Sequence, residues 1–192
     1  VPLLIDNGGP VLMMQIENEY GYFATDSSYL NAMKNIMMEY GITVPFITSD
    51  GPYRESMNAG CIEGVLPTGN FGSKTEERFE ILKDYTNGGP LMCAEFWVGW
   101  FDHWGAKHET RSAEELVKGM KEMLDRNISF SLYMTHGGTS FGHWGGANFP
   151  NFSPTCTSYD YDAPINESGK VTPKYLEGRN LPPSDSWTYG GH

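Results

Sequence analysis

Two stretches of this 192-residue sequence carry an apolar run straight into carboxylates. Met13-Met14-Gln15-Ile16 leads into Glu17-Asn18-Glu19-Tyr20-Gly21, and Leu91-Met92-Cys93-Ala94 leads into Glu95-Phe96-Trp97-Val98-Gly99-Trp100. An acid delivered by the end of a buried strand can be desolvated and hold a proton near neutral pH, while a second acid can stay ionised and attack. Glu19 and Glu95 are the candidate pair. Glu17 competes with Glu19, because alternate residues of a strand share a face. Glu19 is preferred as the residue nearer the strand's rim, with Glu17 still inside the strand.

The neighbours of both acids narrow the chemistry. Asn18 and Tyr20 flank the first, and Phe96, Trp97 and Trp100 flank the second. Aromatic residues make up 14% of the chain and many lie beside Gly, Asn and Asp, where core packing alone would not place them. Flat apolar rings suit the C–H face of a sugar, and amides and carboxylates take its hydroxyls. Retaining glycosidases use two carboxyl groups about 5 to 5.5 Å apart, one protonating the leaving oxygen and one attacking the anomeric carbon.

The elements that must position these residues follow from periodicity and caps. Val11 to Ile16 reads as a strand buried on both faces. Asp26 or Ser27 caps a helix from about 28 to 40, with Leu30, Met33, Met37 and Tyr40 on one side and Gly41 as its stop. Strands are expected at 44–48 and, more weakly, 64–68. Ser73 and Glu76 form a capping box for a helix carrying Phe79, Leu82 and Tyr85. A strand carries Glu95, and a Trp- and His-rich loop runs to Arg111. Ser112 and Glu115 open a helix buried through Leu116, Met120, Met123 and Leu124. A last strand, 129–134, precedes a loop and a short helix with Thr172 at its cap and Pro173 at its first position. Glu19, Asp50, Asn70, Glu95 and His136 all fall at strand ends. That is where sites form on a (β/α)8 barrel, and no phosphate-binding glycine loop argues for a dinucleotide fold.

The fold class is therefore α/β, a partial (β/α)8 TIM barrel of about five βα units. A whole barrel has eight strands in roughly 250 residues. Residues 1–180 read as the C-terminal portion of a catalytic barrel, with 181–192 as a loosely ordered tail. Three arrangements are expected: the first strands were removed, or they reside on another chain, or the sequence folds as an open sheet whose two exposed edges invite self-association or pairing with a chain that supplies the missing strands.

The segments also resemble a known family. Gln15-Ile16-Glu17-Asn18-Glu19-Tyr20-Gly21 is similar to the acid/base signature of the glycoside hydrolase family 35 β-galactosidases. Glu95-Phe96-Trp97-Val98-Gly99-Trp100-Phe101-Asp102-His103-Trp104-Gly105 is similar to their nucleophile segment. Leu132-Tyr133-Met134 with Gly137-Gly138-Thr139 resembles their last barrel strand, and Thr157-Ser158-Tyr159-Asp160-Tyr161-Asp162-Ala163-Pro164 the loop after it.

The resemblance implies hydrolysis of terminal β-galactosides with retention, by double displacement. It implies Glu19 as acid/base, Glu95 as nucleophile and Asn18 as partner of the sugar 2-hydroxyl, with Trp100, Tyr133 and Tyr161 lining the galactose pocket. Tyr133 or Tyr161 would donate a hydrogen bond that keeps Glu95 ionised. The expected partner is a β-galactoside oligosaccharide or glycoconjugate, and a secreted, periplasmic or lysosomal-like location. Two other readings stand beside it: a related barrel glycosidase of other sugar specificity, such as a β-glucosidase, and a chain that binds carbohydrate without turnover. Tyr20 after Glu19, where a Pro would favour the first alternative, counts against it.

Charge and composition exclude other classes. A net charge of −11, with 24 acidic against 13 basic residues, argues against nucleic acid or an anionic membrane as partner. Cys61, Cys93 and Cys156 are too few and too scattered for a disulfide framework, and Cys93 reads as a small buried side chain. His103, His108 and His136 lack zinc-site spacing, so neither metal nor cofactor is expected.

Overall fold

The computed structural model describes residues 1–181; the expected tail lies, but for Leu181, outside the described residues. The chain forms two compact units. The first comprises Val1–Phe71 and Glu76–Ala94, and the second Gly72–Thr75 and the chain from Glu95 onward.

In the first unit, β1 (Met14–Gln15) pairs in parallel with β2 (Phe46–Asp50), and β2 with β3 (Leu66–Phe71). The helices between them are α1 (Ser27–Glu39) and α2 (Arg54–Gly60), and α3 (Thr75–Lys83) follows β3. Asp26 caps α1 by accepting from Ser28 and Tyr29 N–H groups, and Gly41 turns the chain out with φ 86°. The core gathers Ile16, Leu30, Phe46, Ile62 and Val65, with Met33 and Met37 of α1 packed on it. Phe71 meets Phe79 of α3 edge-on at 5.2 Å.

The second unit contains α4 (Ala113–Leu124), β5 (Ser129–Tyr133), a two-residue hairpin of β6 (Ala147–Asn148) and β7 (Ser153–Pro154), and α5 (Pro173–Gly178). Strand β4 (Met92–Trp97) begins in the first unit and ends in the second. The sheet order is β1-β2-β3-β4-β5, so five strands follow one another in chain order. Ser112 caps α4 through the Glu115 N–H, and Gly119 sits against Phe96, where a Cβ would approach the ring to 2.3 Å. Leu116 and Met123 complete that buried face.

Several expectations need correction. The strand expected over 11–16 shrinks to Met14–Gln15. Leu12 is 60% exposed, because β1 has only β2 as a partner among the described residues and the residues ahead of it turn back, Val11 donating to Leu3 O. Tyr40 is exposed at the C-cap of α1 rather than part of its buried face. Tyr85 lies beyond α3, its hydroxyl donating to Asn58. Helix α2 went unforeseen, since seven residues without a capping side chain give no periodic signal.

Candidate active site

Glu19 stands where the chain leaves β1. The backbone there is not a strand: Glu17 and Glu19 both adopt left-handed φ, 57° and 53°. Strand alternation therefore fails, and the two acids face different surroundings. Such a conformation costs a non-glycine residue of order 1 kcal/mol or more, so neighbouring bonds must hold it. Glu19 N–H donates to Ser49 O at 2.8 Å, and Gly21 N–H to Asp50 Oδ1 at 2.9 Å. Gly21 fits because a Cβ would come within 2.1 Å of Ser56 O.

The Glu17 carboxylate accepts from the hydroxyl of Tyr29, an exposed residue of α1. Glu19 instead meets β3: its Oε1 accepts from Asn70 Nδ2 at 3.1 Å. Burial pushes the Glu19 carboxyl above the usual range, and the Asn70 bond partly opposes this. Asn18 lies between the two acids and is exposed, its Oδ1 accepting from Gln15 Nε2 at 3.0 Å. Asp50, at the end of β2 and 1% exposed, is also raised by burial, with the Glu19 charge adding to it.

Glu95 lies within β4, and Trp97, two residues on and so on the same face, donates its indole N–H to Glu95 Oε2 at 3.1 Å. A cluster of rings follows. Trp100 meets Trp97 at 5.1 Å and Phe101 at 5.3 Å, and its own side chain is 36% exposed. Phe101 lies edge-on to both Tyr159 and Tyr161, which stack on each other at 5.5 Å with 4° between planes. Tyr133, the last residue of β5, lies edge-on to Tyr161 at 5.5 Å and shares a 2.7 Å hydrogen bond with the Tyr159 hydroxyl. The Tyr159 phenol is pushed up by burial, by the Tyr133 bond and by the Glu95 negative charge, which places it in the field of that carboxylate.

Two cations fix this cluster's backbone. The Arg111 guanidinium donates to Trp97 O at 2.6 Å, and Lys174 Nζ donates to Val98 O at 2.8 Å. Lys174, 4% exposed, also reaches Asp162 O at 2.7 Å and Asp162 Oδ2 at 2.5 Å, while Arg111 N–H donates to the same carboxylate at 2.7 Å. Asp162 and Tyr161 both have left-handed φ, 49° and 59°, so the ion pair holds a strained turn. Gly99 sits under that turn, where a Cβ would lie 1.8 Å from Tyr161 O.

With this geometry in view, comparison with known proteins is decisive. Residues 1–183 match the model of glycosyl hydrolases family 35. The chain belongs to that family. It is 42% identical over 184 residues to the beta-galactosidase of Macaca fascicularis and, at the same identity and span, to that of Homo sapiens. It is 40% identical over 182 residues to beta-galactosidase-1-like protein 3 of Mus musculus. Each alignment covers 94% of this chain and 27 or 28% of the relative, so the chain spans about a quarter of the length of the curated relatives it matches. The fold class expected from the sequence, a partial (β/α)8 barrel of family 35, is the one found.

Of the six expected site residues in this family 35 chain, Trp100, Tyr133 and Tyr161 meet in one ring cluster beside the segment that carries Glu95. Tyr161 is buried at 2% exposure, beneath its neighbours. Glu19 and Asn18 belong to the first unit, where Asn18 pairs with Gln15 and not with Glu19. Sequence reasoning assigned no role to Ser49, Tyr159, Arg111, Asp162 or Lys174, named Trp97 only as a ring flanking Glu95, and named Asn70 only among the strand ends. Asn70 had one usable signal, its place at a strand end. Lys174 had none, since a lysine in a short polar helix normally reads as solvated.

His103, His108 and His136 pair with Asn148, Asp102 and Ile165 O respectively. Among the described residues no three His, Cys, Asp or Glu side chains stand close enough to hold a metal ion. The three cysteines are free; Cys93 is buried, and burial beside Asp50 pushes the Cys61 thiol up to about 12.

Proposed function

We propose that this chain carries the catalytic acids of a β-galactosidase that releases terminal β-linked galactose from oligosaccharides or glycoconjugates with retention of configuration. Glu19 donates its proton to the leaving oxygen while Glu95 attacks the anomeric carbon, forming a galactosyl ester on Glu95 and expelling the aglycone as an alcohol. Glu19, now ionised, takes a proton from water. The resulting attack on the anomeric carbon breaks the ester and returns both carboxyl groups to their starting states.

The observation that carries this reading is the contrast between the two acids. Burial raises Glu19 toward the protonated form a general acid needs, whereas the Glu95 carboxyl is oriented by the indole N–H that Trp97 donates to its Oε2. The printed name of the relatives at 42% identity, beta-galactosidase, supports galactose as the sugar. In this reading the exposed amide of Asn18 takes the sugar 2-hydroxyl, Trp100 offers its ring to the sugar's C–H face, and Tyr133 and Tyr161 complete the wall.

The test is turnover of a chromogenic β-galactoside beside the matching β-glucoside, with the first-formed anomer followed by NMR. The proposal expects galactoside turnover, β-galactose as first product, and a loss of about 10³-fold or more in Glu95→Gln. Equal turnover in that variant, or α-galactose appearing first, overturns it.

A further inference from the structure

Glu19 is held by a closed ring of three hydrogen bonds. Its own N–H donates to Ser49 O (2.8 Å), Ser49 Oγ donates to Asn70 Oδ1 (2.7 Å), and Asn70 Nδ2 donates to Glu19 Oε1 (3.1 Å). The ring ties together the turn after β1, the end of β2 and the end of β3. Ser49 and Asn70 are 1% and 0% exposed, far deeper than two small polar residues usually sit. Their side-chain bonds satisfy both the Asn70 carbonyl and one of its N–H groups.

Direction matters in this ring. An ionised carboxylate can only accept, so the amide must turn its NH₂ toward Glu19, which leaves its oxygen for the Ser49 hydroxyl. We propose that Ser49 and Asn70 are positioning residues for Glu19, orienting its carboxyl and stabilising its ionised form through this ring. The inference rests on the reading of Glu19 as the acid/base.

A group that first gives and then takes a proton cannot be set for one direction alone. Burial favours the protonated form needed for the first half of the reaction. The Asn70 donor favours the ionised form needed for the second. The other charged or titratable groups around Glu19 in this unit are Asp50, whose charge opposes ionisation, and Tyr22, whose phenol is pushed up by burial and by the Glu19 charge. Tyr53 and Arg78 act on Tyr22 in turn. The Tyr22 backbone N–H reaches only the Glu19 carbonyl O, at 3.1 Å; it is the Asn70 amide that donates to the Glu19 carboxyl.

The sign of the effect separates this role from a merely structural one. Loss of the donor alone moves the Glu19 titration midpoint up, since burial is then unopposed. Loosening of the site lets water in and moves the midpoint down toward an ordinary glutamate. The experiment is a carboxyl ¹³C NMR titration of the whole chain, with the Glu19 resonance assigned by its absence in Glu19→Gln. Asn70→Ala is expected to raise the midpoint by about half a pH unit or more, and Ser49→Ala to raise it by less. An unchanged or lowered midpoint in folded Asn70→Ala overturns the proposal. Should Asn70→Ala lose its circular-dichroism signature, Ser49→Ala decides by the same sign. The midpoint needs no turnover, so absence of β-galactosidase activity would defeat the proposed function without touching this result.

Discussion

The two units hold their acids by different physics. Around Glu19 the supports are neutral and short: a serine hydroxyl, an asparagine amide and backbone groups at the ends of parallel strands. Around Glu95 they are aromatic rings whose backbone is anchored by buried or half-buried cations, Arg111 on Trp97 O and Lys174 on Val98 O. A neutral network can adjust a proton affinity by one hydrogen bond at a time. A ring cluster set on an ion pair is a rigid wall instead, since moving it would expose an uncompensated charge. The proposed roles divide along the same line, proton exchange at Glu19 and a fixed attacking oxygen at Glu95.

That contrast breaks most sharply at Lys174. Lys174→Met should destabilise the chain by about 3 to 5 kcal/mol, because the Asp162 carboxylate loses its buried partner. Adding Asp162→Asn should recover most of that loss, and urea unfolding of the single and double variants measures both. Equal stability of the single variant would show the second unit to be as adjustable as the first.

A smaller effect is expected at Asp50. Burial places its native pKa above the unfolded value, so its contribution to stability is fully present below the unfolded value and is lost as pH rises through the native one. Asp50→Asn keeps an oxygen for the Gly21 N–H and removes the charge. It should therefore gain on the order of 1 kcal/mol near pH 7 and nothing near pH 3. Parallel urea midpoints at the two pH values decide it, and a gain of equal size at both would assign the effect to packing.

The smallest change sharpens the contrast inside the first unit. Glu17→Gln touches a carboxylate bonded to an exposed tyrosine, and should alter stability by less than about 0.5 kcal/mol and leave β-galactoside turnover unchanged. A large loss of turnover would return Glu17 to candidacy as the acid.

The sequence was most legible where one local rule acts alone. Asp26 and Ser112 announced their helices, and the apolar run ending at Glu95 announced β4. It misled where tertiary bonds override the local pattern. Met13 to Tyr20 carries strand-like apolar residues, yet left-handed Glu17 and Glu19 end the strand at Gln15, in a turn tied by Glu19 N–H to Ser49 O and by Gly21 N–H to the Asp50 carboxylate. The different surroundings of Glu17 and Glu19 came into view only with that geometry. The supporting residues stayed hidden for a related reason. Ser49, Asn70 and Lys174 acquire meaning from partners 12 to 76 positions away along the chain, which no local sequence pattern pairs with them.

The close approach of Gly99 to Tyr161 O reaches beyond this one molecule. A backbone carbonyl lies where any larger residue would put its first carbon, so positions 99 and 161 cannot drift independently. A relative that carries a side chain at 99 must have rebuilt the Tyr161–Asp162 turn, and with it the footing of the whole ring cluster. In design terms the loop after β4 and the loop carrying Tyr159 and Tyr161 are a single transplantable part, and grafting one without its mate would leave the graft with no room to close.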